Sequence, residues 1–77
     1  MTPVSGDVAG NGNDTVTFAR AVDKVEVYNA SSARLTISDG DWDVYVYPNL
    51  AKLCEFGKTS TNFTITATGD WAATPYA

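Results

Sequence analysis

Apolar residues in this chain recur at every second position. Val25 and Val27, Leu35 and Ile37, Trp42, Val44 and Val46, and Phe63, Ile65 and Ala67 all alternate with polar neighbours. Successive side chains on extended backbone point to opposite sides, so a two-residue period marks a strand with one buried face. Small and polar turn formers separate the runs: Ala30-Ser31-Ser32, Asp39-Gly40, Gly57 to Thr61 and Gly69-Asp70. No long helical period and no internal repeat is legible. The pattern predicts an all-β domain, a small antiparallel β-sandwich or partly open barrel of six or seven short strands.

The stretch Val25 to Tyr47 is expected to be the centre of that fold, as three consecutive strands. Val25, Val27, Leu35, Ile37, Trp42, Val44 and Val46 are its expected core. Asp39-Gly40 reads as a type I′ hairpin turn, which needs positive φ at both central residues. Lys24 and Glu26 are expected to face Arg34 and Thr36 across a strand pair, and Pro48 to end the fourth strand. An earlier strand is expected over Thr15 to Ala19 with Val16 and Phe18 inward, followed by a connection from Arg20 to Asp23. Asn49 to Phe56 fits either one helical turn or a loop into a short strand, and the loop is favoured. Trp71 to Ala77 is expected as a terminal strand or docked tail.

Residues 1–14 have the composition of a flexible N-terminal arm, with Gly6, Gly10 and Gly12 among Asn11, Asn13 and Asp14. Residues 15–77 then make the single domain. Val4 and Val8 are the arm's aliphatic anchors and so its candidate partner-binding residues.

At 77 residues the chain buries only about 60% of the surface its unfolded form exposes. Domains this small are commonly stabilised by disulfides, a metal or partner subunits. One cysteine, Cys54, excludes an intrachain disulfide, and with no histidine and a lone cysteine a zinc site has almost nothing to ligate it. The expected route is a homo-oligomer or docking onto a larger assembly.

The net charge is -4, and the five cations are Arg20, Lys24, Arg34, Lys52 and Lys58, scattered along the chain. Nucleic-acid binding by counterion release needs several cations on one face, so no nucleic-acid partner is expected. No run is long and apolar enough to span a membrane, and the first residues lack the basic and apolar regions of a signal peptide. Synthesis in the cytoplasm, with Cys54 reduced, is the expectation.

Chemistry-bearing motifs are sparse. Asp39, Asp41 and Asp43 open like a calcium loop, but the sixth and twelfth positions are Val44 and Leu50 where Gly and Glu are required. They read as an acidic hairpin. Asp41 and Asp43 would share a strand face as a glycosidase pair does, but a chain this short offers no cleft to raise one pKa. Serine or cysteine nucleophiles have no histidine base. No enzyme activity and no cofactor is expected. The triplets beginning at Asn13, Asn29 and Asn62 match the glycosylation acceptor pattern and are expected by chance in a chain this rich in Thr and Ser. Tyr28, Tyr45 and Tyr47 are expected on one outer sheet face, where Tyr favours protein contacts or, with the tryptophans, sugar stacking.

One resemblance extends this reading. Val25-Val27-Asn29, the small-residue turn Ala30 to Ala33, and Leu35-Ile37 resemble the opening of small β-sandwich structural proteins of tailed-phage particles. The strand ending near Pro48 and the run Phe63 to Gly69 continue the likeness. It implies a non-enzymatic virion protein, a capsid cement or decoration subunit or a tail- or fibre-associated one, whose partners are the major capsid protein or other virion subunits. A small carbohydrate-binding module is the alternative expectation.

Overall fold

A computed structural model describes residues 8–76. Among them are six strands and no helix: β1 (Val8–Asn11), β2 (Asp14–Asn29), β3 (Leu35–Ser38), β4 (Asp43–Val46), β5 (Ala51–Thr66) and β6 (Asp70–Tyr76). All pairings are antiparallel in one sheet of order β1-β6-β2-β5-β3-β4, which does not close. The expected all-β class and the core faces of most strands hold. The strands are not uniformly short, because β2 and β5 each run for 16 residues.

Both long strands bend midway, where separate elements were expected. Asp14 to Thr17 pair with Ile65 to Asn62, and Lys24 to Tyr28 pair with Glu55 to Ala51; between them the register shifts twice, around Val22. The Arg20 to Asp23 connection and the Gly57 to Thr61 turn are thus irregular bends within continuous strands. Gly57 takes a φ of 77° there, a conformation glycine adopts without strain. The bend also switches which residues face inward. Val16 and Phe18 are buried before it and Val25 and Val27 after it; on β5, Cys54 and Phe56 give way to Phe63 and Ile65. Extra residues at a bulge shift the two-residue phase and sharpen the twist.

The bend folds the sheet over on itself. One layer is β1, β6, the second half of β2 and the first half of β5. The other is the first half of β2, the second half of β5, β3 and β4. Between them lie Val16, Phe18, Val25, Val27, Leu35, Ile37, Val46, Phe56, Phe63, Ile65 and Trp71, all buried. Phe63 sits between Phe18 and Phe56, with ring centroids 5.7 and 5.1 Å away in tilted arrangements favoured by the ring quadrupole.

The topology contains a repeat. Exchanging β1, β2 and β3 for β4, β5 and β6 maps the sheet order onto its own reverse. The register follows: Val8 opposite Ala73 and Gly10 opposite Trp71 correspond to Val44 opposite Ile37 and Val46 opposite Leu35. Buried Val16 and Phe18 correspond to buried Cys54 and Phe56. Apart from Val8 and Val44 and the two phenylalanines, these matched positions differ, so the repeat is a repeat of faces rather than of letters.

Several expectations are corrected. β2 does not pair with β3, so Lys24 and Glu26 do not face Arg34 and Thr36; β2 pairs with β5 and β6. β3 and β4 do form a hairpin, but its loop is residues 39–42 rather than a two-residue turn, since Ser38 pairs with Asp43. Only Gly40 has positive φ in it, at 105°. The Asp39 carboxylate closes the loop, accepting from the amides of Asp41 and Trp42 at 2.9 Å each. This lifts Trp42 beyond the end of β4 and off the core, where it is 64% exposed rather than buried. Over Asn49 to Phe56 the favoured loop into a strand holds and the helical turn does not form: a corner with Asn49 at a φ of 60° leads into β5, which begins at Ala51 and is long rather than short. Of the segment expected as an arm, residues 8–11 are strand β1, paired to β6 of the same chain; residues 1–7 lie outside the described residues.

One polar side chain inside the core ties three connections together. Asn29 is fully buried at the end of β2. Its Nδ2 donates to Ala33 O at 2.8 Å and to Val46 O at 2.9 Å. Its Oδ1 accepts from the Ser31 amide at 3.0 Å and the Ser31 hydroxyl at 2.6 Å. Its backbone N–H donates to Leu50 O, and its carbonyl accepts from Asn49 N–H. Burial of an amide is tolerable because every donor and acceptor is used.

Two stability predictions follow from this packing. Asn29→Leu removes the side-chain donor to Val46 O and the acceptor of the Ser31 amide, while Ala33 O keeps the Ser31 hydroxyl, and a loss of about 1–3 kcal/mol per buried group left unpaired is expected from urea unfolding. At Gly10, an added Cβ would overlap the indole of buried Trp71, 2.8 Å from its Cε2. Gly10→Ala should therefore cost about 1–3 kcal/mol by overpacking, read in the same titration.

Candidate functional site

Large apolar side chains that remain exposed among the described residues are few: Tyr28, Trp42, Tyr45, Tyr47 and Leu50. Four of the five fall between Trp42 and Leu50, on edge strand β4 and its flanks. The local sequence explains this. β4 buries Val46 and half-buries Val44, so the intervening Tyr45 and the following Tyr47 point outward. Pro48 and the positive φ of Asn49 then turn the chain across to β5, and Leu50 is carried outside the core at that corner.

Cations border this surface. The Arg34 guanidinium sits 4.0 Å over the Tyr45 ring, a cation–π contact that holds the ring against the sheet. Lys52 Nζ donates to the Tyr45 carbonyl at 3.4 Å. Lys58 pairs with Asp41 of the β3–β4 loop, an exposed ion pair. Arg34 and Tyr45 make the only cation–π contact among the described residues, and it lies at the centre of the aromatic stretch.

The expected cluster of three tyrosines is split. Asn29 reaches inward to Val46 of the opposite layer, so Tyr28, its neighbour on β2, points away from that layer. Tyr45 and Tyr47 flank buried Val46 and point away from the layer of Tyr28. The structure therefore keeps Tyr45 and Tyr47 together and places Tyr28 on the other outer face. Val8 packs against the core opposite Ala73 and is half-buried, so its side chain is engaged within the chain. Val4 lies outside the described residues. Trp42 and Leu50 are the surface residues that alternation missed. The three aspartates around Trp42 were the available signal that it sits in solvent.

The acidic loop is not arranged to hold a cation. One oxygen of Asp39 is spent on two backbone amides and Asp41 on Lys58. No group of three His, Cys, Asp or Glu side chains converges among the described residues. Of the glycosylation-type triplets, Asn29 is excluded as an acceptor by its burial and its two donated hydrogen bonds. Cys54 is fully buried, and burial pushes its thiol up from 9.0 to about 11, against a smaller lowering by Lys52.

Comparison with known protein families, with curated proteins and with solved structures yields no match.

The thiol should be inert in the folded chain, because the thiolate is the reactive form. Labelling of Cys54 by a thiol reagent at neutral pH is expected only as fast as the chain unfolds. The linkage has a definite sign. The unfolded thiol ionises near 9 and the folded one near 11, so its contribution to stability is complete below pH 9 and is lost as pH rises toward 11. Cys54→Ser, whose hydroxyl does not ionise there, should flatten that part of the stability–pH curve.

Proposed function

We propose that this chain is a non-enzymatic structural subunit that docks on a protein surface through the aromatic stretch from Trp42 to Leu50. The observation that carries the reading is the concentration of exposed Trp42, Tyr45, Tyr47 and Leu50 on one edge, while the other large apolar side chains among the described residues, Tyr28 apart, are buried or half-buried. Tyr, Trp and Arg are the residues that most often dominate protein interfaces, because they combine large apolar area with a polar or charged tip. Arg34 stacked on Tyr45 supplies that combination in a prearranged form. With the resemblance to small phage β-sandwich proteins, the partner class is a virion lattice, and the role is capsid cement or decoration, working in the virion. A tail- or fibre-associated module uses the same surface.

Carbohydrate binding is the second reading. It is favoured by Trp42, whose ring is the most exposed large apolar group. Trp71 is buried, so a sugar-induced fluorescence change would report Trp42 alone.

Co-sedimentation with shells assembled from tailed-phage major capsid proteins tests the first reading. The wild-type protein should pellet with the shells. Tyr45→Ala/Tyr47→Ala should bind at least about tenfold more weakly, as truncated interface hot spots do. Both side chains are exposed, so the melting temperature should stay within a few degrees of the wild type. Shells that take up both proteins equally would count against this surface. A fluorescence response on a glycan array that Trp42→Phe removes would favour the sugar reading.

A further inference from the structure

Every strand ladder among the described residues joins one half of the chain to the other. β1 pairs with β6, β2 with β5 and β6, and β3 with β4 and β5. No ladder lies within β1–β3 or within β4–β6. The backbone hydrogen bonds outside the ladders obey the same division, the loop's own Asp39 N–H to Trp42 O bond apart. Gly12 N–H donates to Gly69 O, Asn29 N–H to Leu50 O, and Ala30 N–H to Asp70 O. Asn29 Nδ2 reaches Val46 O, and Trp71 Nε1 donates to Gly12 O at 2.9 Å. Neither half can satisfy its own backbone, and an unpaired buried N–H or C=O is costly. Each half is the other's partner, and residues 39–42 alone connect them.

We propose that the chain associates with a second copy of itself by exchanging halves. Residues 8–38 of one copy pack with residues 43–76 of the other, and residues 39–42 act as the hinge. In the exchanged dimer every ladder and core contact is reproduced, so only the hinge loop changes, which is why exchange is a low-cost route to a dimer. The loop is suited to opening. Gly40 and Asp41 are exposed, and glycine accepts either loop or strand dihedrals. The closed loop also leaves Asp39 Oδ2 buried without a hydrogen-bond partner, a cost that opening relieves. The tether holds the two halves of one copy at high effective concentration, so the closed monomer prevails in dilute solution and the exchanged dimer at high protein concentration. The inference is independent of what the Trp42–Leu50 surface binds.

Shortening the hinge is the first test. With residues 39–42 removed, Ser38 is joined directly to Asp43, so β3 and β4 cannot turn back on each other, because a hairpin needs at least two loop residues, and short hinges force exchange. Sedimentation equilibrium should give twice the monomer mass, with the wild-type circular dichroism spectrum and Trp71 still buried by fluorescence. A folded monomer would overturn the proposal. A second variant keeps the loop intact and covers the case in which the shortened chain fails to fold. Thr15 and Thr64 are exposed and directly opposite each other on β2 and β5. Cα atoms of such pairs lie about 4.5–5.5 Å apart, within disulfide range. Full-length Thr15→Cys/Thr64→Cys is refolded dilute and at millimolar concentration, oxidised, and run on a non-reducing denaturing gel. Cross-linked monomer is expected from the dilute sample and covalent dimer from the concentrated one. Cys54, being buried, should not contribute. Monomer bands alone at every concentration would overturn the exchange. So would a dimer in solution that carries only intrachain disulfides, because that dimer would be held by surface contact. Loss of shell binding in the tyrosine variant leaves either result unchanged, so the two proposals fail separately.

Discussion

The bent ladder between β2 and β5 is the constraint on which the remaining structure depends. Each strand is 16 residues long and contributes half its length to each layer. A flat pair would expose one apolar face over its whole length. Bending both strands around Val22 turns that face onto itself, so Val16 and Phe18 meet the same interior as Val25 and Val27. The phase shift is built into the sequence: apolar residues fall on even positions before the bend and on odd positions after it. β1 and β6 then extend one layer and β3 and β4 the other. A chain too short for two separate sheets thereby makes a two-layer core from one.

The ends of the layers need separate closure, and polar groups supply it. Asn29 does this where β2 ends, bonding the turn to β3, the end of β4 and the corner into β5. Its counterpart in the repeat is Ala67, whose amide donates to the side chain of Asn13 at 3.0 Å. The two ends thus both use an asparagine side chain, fully buried with four hydrogen bonds at Asn29 and exposed with one at Asn13. The two corners also differ in length, and only the longer one, from Tyr47 to Leu50, projects a large apolar residue into solvent. The departure from symmetry coincides with the surface assigned to docking. Fold and proposed function accordingly draw on different residues: the core-facing positions hold the layers, while Tyr45, Tyr47 and Leu50 contribute little to them.

Alternation alone was enough to find most of the core. Val16, Phe18, Val25, Val27, Leu35, Ile37, Val46, Phe63 and Ile65 were all legible, because a buried face on extended backbone must repeat every second residue. It was also enough to place Tyr45 outward. Trp42 was misplaced because alternation carries no information about where a strand ends. The carboxylate of Asp39 sets that end by capturing two amides. The grouping of Tyr28 with Tyr45 and Tyr47 failed for a different reason. Parity tells that a residue faces out, but a folded-over sheet has two outer faces.

By itself the sequence determined strand class, most of the core-facing positions, and the lack of an intrachain disulfide or a histidine ligand in these 77 residues. These are local properties, readable from spacing and residue type. Which strands pair, that two expected breaks are bends in continuous strands, and that the chain is a repeat of three strands about a pseudo-two-fold were decided only in the tertiary structure. Pairing order is set by which apolar faces can meet once the long strands fold over, a long-range condition no window of residues contains. The repeat is invisible in the letters because a core position constrains burial and volume, and Val16 and Cys54, or Leu35 and Trp71, satisfy equivalent positions with different side chains.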